Sequence, residues 1–174
     1  MTSGNSSRKA LRMALVLLVT FGLLGLTGPQ SCTPFTIYTL RSDSTFTRGC
    51  FGPCLCPVEL GQGFQGFFVL IEDTGSPASP FRDFEVNDVQ WSVELGGQTV
   101  PITGSDHYRV GGEVALTQQL TLDLQVAGGP VEHFDSGVVA GSSFPVIDIT
   151  VSVSGAFCFN TMIKVDAQPL TPAQ

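Results

Sequence analysis

Basic charge is the scarcest resource of this chain. Lys and Arg number 8 in 174 residues against 15 Asp and Glu, and charged residues of both signs make up only 13%, about half the share in an average soluble domain. Three of the eight, Arg8, Lys9 and Arg12, crowd into the first dozen residues, and Lys164 is the only lysine beyond them. No polybasic face for a phosphate backbone can be assembled from what remains, which excludes a nucleic-acid binder. Polar aromatics are equally sparse, with one Trp and two Tyr beside thirteen Phe. Phe belongs mostly in cores, so an exposed stacking platform has few residues to draw on. Trp91, in phase with Val89 and Val93, reads as a buried anchor, which leaves Tyr38 and Tyr108 as the amphipathic aromatics.

Motifs that carry chemistry are missing as well. There is no G-x-S-x-G elbow, no G-x-G-x-x-G phosphate loop and no EF-hand calcium loop. His107 and His133, the only histidines, lie in no metal or triad spacing and read as loop-edge residues. A hydrolase assembled from one of them and Ser105 or Ser142 would lack any geometry-bearing signature. The expectation is therefore a protein without enzymatic activity and without a cofactor.

What is present begins with the leader. Arg8, Lys9 and Arg12 precede an apolar run over residues 14–26, which is shorter than the roughly 20 residues a membrane-crossing helix needs. This is the layout of a secretory signal peptide spanning 1–31, cleaved between 25 and 31, rather than a stable transmembrane span. The exported part keeps five basic residues against fifteen acids, a balance that favours solubility and repels anionic polymers and lipids. A periplasmic, cell-surface or extracellular location follows.

Five cysteines lie beyond the leader: Cys32, Cys50, Cys54, Cys56 and Cys158. In an oxidising compartment they are expected to be bridged. One account of the odd number makes Cys32 the lipid-modified first residue of a bacterial lipoprotein. Against it, Pro29, Gln30 and Ser31 depart from the Leu-x-small-Cys signal. Cys50, Cys54 and Cys56 fall in a tight loop bounded by Gly49, Gly52, Pro53 and Pro57. A bridge between Cys54 and Cys56 would be strained, so Cys50 pairs with one of them and Cys158 with the other. The longer bridge closes about 100 residues, for which chain entropy gives on the order of 4 to 5 kcal/mol. A zinc or iron-sulfur site on these thiols fits neither the spacing nor the compartment.

The rest of the chain is written in strands. Leu120, Leu122, Leu124 and Val126 alternate with polar residues, as do Ile147, Ile149, Val151 and Val153, the period-two signature of half-buried antiparallel strands. Further strands are expected over 35–41, 64–72, 84–95, 98–102, 131–139 and 156–165, with Gly-Gly turns at 96–97, 111–112 and 128–129. Parity in 84–95 is broken: Phe84 and Val86 are apolar at even positions, Val89, Trp91, Val93 and Leu95 at odd ones. A β-bulge at Asn87-Asp88 would restore the buried face. If the register of 147–153 survives Gly155, Phe157 and Phe159 point inward and Cys158 outward. The fold expected is an all-β, antiparallel two-sheet β-sandwich of Ig-like or jelly-roll style over 32–167, followed by a short flexible tail over 168–174.

Asp83, Glu85, Asn87 and Asp88 are the one stretch with calcium-ligand character, because alternate residues share one side of a strand. Their plainer reading is the solvated face of an acidic protein. Taken together, the sequence points to an exported binding or structural domain whose partner is an envelope or extracellular protein or a glycan. The rival reading is a calcium-dependent carbohydrate-binding module or secreted hydrolase.

Overall fold

The computed structural model describes residues 34–74, 78–141, 143–153, 155 and 158–170. The leader, Cys32, Ser142 and Phe157 lie outside the described residues. Among those described there is no helix, and hence none long and apolar enough to cross a membrane. Eleven strands follow one another: β1 (Phe35–Leu40), β2 (Thr45–Phe51), β3 (Glu59–Leu60), β4 (Gln62–Glu72), β5 (Phe81–Leu95), β6 (Gln98–Gly111), β7 (Thr117–Val126), β8 (Val131–Asp135), β9 (Val139–Ala140), β10 (Ile147–Ser152) and β11 (Cys158–Pro169).

All of them are antiparallel and hydrogen-bond into one sheet, in the order β1-β4-β5-β6-β7-β8-β10-β11-β2-β3, with β9 on β7. β1 pairs with β4 along one edge and with the end of β11 along the other, so the pairing closes on itself. The two-sheet sandwich is thus not confirmed. From β4 to β8 each strand pairs with the next, β5 with β6 through the Gly96-Gly97 turn, whereas β1 pairs with β4 and β11 with β2. Alternating polarity dictates a sheet with one dry face. It does not dictate whether that face is covered by a second sheet or by the same sheet rolled over.

The dry face is continuous. Phe46, Ile102, Leu122, Leu124, Phe134, Ile147, Val151, Ile163 and Val165 have no solvent exposure. Trp91 is buried, as its parity requires, with edge-on contacts to Phe64 and Phe68 at 5.5 and 6.0 Å. The ring has one thin seam, where β8 and β10 share the single pair Ser152 with Asp135. Gln118 reinforces it from β7: its amide Nε2 donates to the Asp148 carbonyl of β10 at 2.8 Å, while its Oε1 accepts from the Tyr108 hydroxyl at 3.1 Å.

The predicted bulge is present. Val86 faces Asp106 and Val89 faces Gly104, so Asn87 and Asp88 together oppose one residue of β6. Asp88 takes the left-handed conformation at φ 51°, and both Val86 and Val89 are buried on either side of it. β2 was hidden in sequence by the cysteine loop. It continues the line of β1 along β11 after a break at residues 41–44, where Ser44 exchanges hydrogen bonds with the Asp166 backbone and Arg41 pairs with the Asp166 carboxylate at 3.1 Å.

Four local expectations change. The strand expected over 131–139 ends at Asp135, and Val139–Ala140 forms the separate β9 on β7. β6 runs on to Gly111 rather than stopping at Ile102, because its polar residues Ser105, His107 and Arg109 alternate with Tyr108 and Val110. β11 runs through Pro169, and the Leu170 amide donates to the Ile37 carbonyl, so the expected tail begins as paired backbone. Phe159 is exposed, not inward. Cys158 at φ 54° breaks the alternation carried from β10, and Phe159 lies opposite Cys50 at the end of the sheet, beyond the apolar core.

Candidate functional site

Two disulfides fix the loop after β2: Cys50 to Cys56 and Cys54 to Cys158. The first closes the loop on itself and the second ties it to the start of β11. All four clustered cysteines are consumed, which leaves no thiolate among the described residues for a metal.

The acids singled out for calcium do not converge. Asp83 is taken by two side chains of β6, with Arg109 Nε at 2.6 Å and His107 Nε2 at 3.0 Å. These contacts, Arg109 first, hold its carboxyl below the usual carboxylate range. Glu85 accepts a long bond from the Asn87 amide, and Asp88 sits at the crest of the bulge. The two histidines are strand residues and not loop-edge ones: His107 lies in the middle of β6 and His133 in β8. Among the described residues the hydrogen-bond partners of both imidazoles are carboxylates, and no serine hydroxyl is hydrogen-bonded to either ring. Tyr38 and Tyr108 are both buried, so neither stacks on a ligand at the surface.

A small cavity of about 230 Å³ opens between Tyr38, Arg82, Phe84 and Phe144. Its charge is already satisfied, because Arg82 grips Glu72 through two bonds of 2.7 and 2.8 Å and lies over the Phe84 and Phe144 rings. Burial pushes the Tyr38 hydroxyl up to about 12, so it stays protonated at neutral pH.

The larger concavity lies on the outer face of β1, β4 and β5. It encloses about 720 Å³ and is lined by Ile37, Thr39, Leu40, Gln65, Gly66, Phe67, Gln90, Ser92 and Leu170. Strand register builds it row by row: Thr39 stands opposite Phe67 and Phe67 opposite Gln90, while Gln65 stands opposite Ser92 in the adjacent row. Leu170 is brought to its rim by the Leu170 to Ile37 backbone bond.

The β5 bulge is met here from its other side: between the pairs Phe67 with Gln90 and Val69 with Asn87, Phe68 of β4 alone opposes Asp88 and Val89. Beside it, Gly66 adopts φ +140°, and a Cβ there would stand 2.1 Å from the Gln90 carbonyl oxygen. Only glycine lets β4 close on β5 at this point. Phe67 is left 43% exposed while its neighbour Phe68 is buried against Trp91. Among the described residues no charged side chain lines the groove. Two carboxamides and two hydroxyls offer both donors and acceptors around an apolar floor, within the usual volume range of ligand sites.

Sequence reasoning missed this groove because its residues come from three strands and none belongs to a motif. The only signal was the surplus of Phe, one of which had to lie outside the core. Comparison with protein-family models, with curated proteins and with solved structures returns no match to this chain.

Proposed function

We propose that this chain is an exported, non-enzymatic binding domain whose groove on β1, β4 and β5 takes an uncharged glycan. The observation that carries the reading is the lining of that groove: an exposed Phe67 flanked by Gln65, Gln90, Thr39 and Ser92, with no charge. Sugars present exactly such a mixture, an apolar C–H face that packs on an aromatic ring and hydroxyls that both donate and accept. A charged ligand would find no counter-ion there. An apolar one would strand the two carboxamides without partners.

Export is supported by the basic and apolar leader pattern and by two disulfides, which persist in oxidising compartments. Lipid attachment at Cys32 belongs to the same reading as an optional tether. The finer fold description proposed is a flattened, rolled sheet whose opposed walls pack in the manner of a sandwich.

Retention on insoluble neutral polysaccharides tests the reading. The purified domain is expected to be held by at least one neutral glucan, mannan or xylan and released by its soluble oligosaccharides. Phe67→Ala should abolish retention while the domain keeps a cooperative melt, since the ring lies outside the sealed core. Failure to bind any neutral polysaccharide, or full retention by Phe67→Ala, would refute it.

A further inference from the structure

A second constellation stands on different strands. Asp106 of β6, Asp123 of β7 and His133 of β8 offer three ligand atoms that all lie within 4.8 Å of one another. Asp123 and His133 are direct cross-strand partners. The Nδ1 atom of His133 is 2.7 Å from Asp123 Oδ1 and 3.7 Å from Asp106 Oδ2. We propose that these three side chains form a binding site for a divalent transition-metal ion.

The geometry supports this directly. Metal bonds of about 2.1 Å in a tetrahedral arrangement put neighbouring ligand atoms roughly 3.4 Å apart. The two His133 separations bracket that value and the carboxylates lie within 4.8 Å of each other, so rotamer adjustments of at most about 1.5 Å would admit the ion. The three residues come from adjacent strands of one sheet, which holds their backbones in place before any ion arrives. Close approach of β6 to β7 beside the cluster depends on Gly104, where a Cβ would stand 2.1 Å from the Asp123 carbonyl oxygen.

The ligand set also selects the ion. One imidazole nitrogen with two carboxylates suits zinc and its neighbours in the transition series, whereas calcium and magnesium prefer oxygen ligands alone. The imidazole distinguishes this cluster from the solvated acids elsewhere on the surface. His133 and Asp123 are more than half exposed, so positions facing solvent remain for water or for a donor atom on another molecule. That arrangement, three protein ligands with an open position, is a site that can exchange or present a metal rather than a closed structural one.

Zinc titration by calorimetry tests the site in a Cys32→Ser background, which removes the one cysteine outside the two disulfides. One zinc per chain is expected to bind, and calcium at the same concentration is not. His133→Ala and Asp123→Asn should each weaken zinc at least about tenfold, while His107→Ala should leave it unchanged. Imidazole nitrogen NMR of the same Cys32→Ser protein reads the site without altering a ligand: zinc should shift the His133 resonances and leave those of His107 in place. No stoichiometric zinc binding, undiminished binding by His133→Ala, or a shift confined to His107 would overturn the proposal. Since none of these variants touches Phe67 or Gln90, a negative result here leaves the glycan reading standing, and the reverse also holds.

Discussion

Replacing Gln118 by Met removes a buried side chain that ties β7 to β10 beside the thin seam of the sheet, while keeping its length and volume nearly constant. Gln118 is 2% exposed. Its Oε1 accepts from the Tyr108 hydroxyl at 3.1 Å, and its Nε2 donates to the carbonyls of Asp148 at 2.8 Å and Ala140 at 3.4 Å. Gln118→Met leaves the buried Tyr108 hydroxyl without this acceptor, at about 1 to 3 kcal/mol, and removes a carbonyl partner at about 1 kcal/mol more. The expected loss is therefore about 2 to 4 kcal/mol, or roughly 6 to 12 °C in Tm for a domain near this size. The assay is urea unfolding with disulfides intact, followed by tryptophan fluorescence from Trp91 and run as a double-mutant cycle with Tyr108→Phe. Tyr108→Phe deletes the donor that Gln118→Met would orphan, so the second substitution should cost about 1 to 2 kcal/mol less in that background. An equal cost in both backgrounds, or a loss below about 0.5 kcal/mol, would refute the claim that the seam is held by this amide.

Three further outcomes follow from the same structure. Removing the Cys54–Cys158 bridge as a Ser pair, across a sequence separation of 104, should cost roughly 5 kcal/mol, against roughly 2 for the Cys50–Cys56 pair, separated by 6; equal midpoint shifts in guanidinium would contradict the loop-entropy argument. Asp88→Val should destabilise by about 1 to 2 kcal/mol, because a β-branched residue resists the left-handed bulge position, while Asp88→Gly should be neutral or stabilising. Asp83 has its folded carboxyl held below its unfolded value by Arg109 and His107. Its contribution is present above about pH 4 and is lost as pH falls through the depressed folded value; Asp83→Asn should flatten stability against pH in that acid range, and an unchanged acid slope would refute the assignment.

The sequence made the strands legible wherever a polar and an apolar face alternate without interruption, as in 120–126 and 147–153. It even exposed the bulge in β5, because a parity break in a buried strand has few other remedies. The disulfide partners were narrowed correctly to two pairings by the strain of a one-residue spacing. Beyond this, local pattern carries no information about closure. Whether β1 meets β11 depends on the sum of twists around the whole sheet, which no segment reveals. Phe159 was misplaced for a related reason, since parity cannot be carried through a left-handed residue such as Cys158. The groove and the Asp106, Asp123 and His133 cluster are register effects. Their residues are separated by tens of positions and become neighbours only through pairings fixed elsewhere.

The central claim, that the uncharged face of β1, β4 and β5 is the binding surface, is tested most directly by amide NMR of the folded domain during titration with a neutral oligosaccharide. The side-chain amide signals of Gln65 and Gln90 and the backbone signals around Phe67 should move together and saturate, while those of Asp83, Glu85 and His107 on the neighbouring polar strip stay in place. Saturable shifts confined to any other face, or none with any neutral sugar, would contradict it.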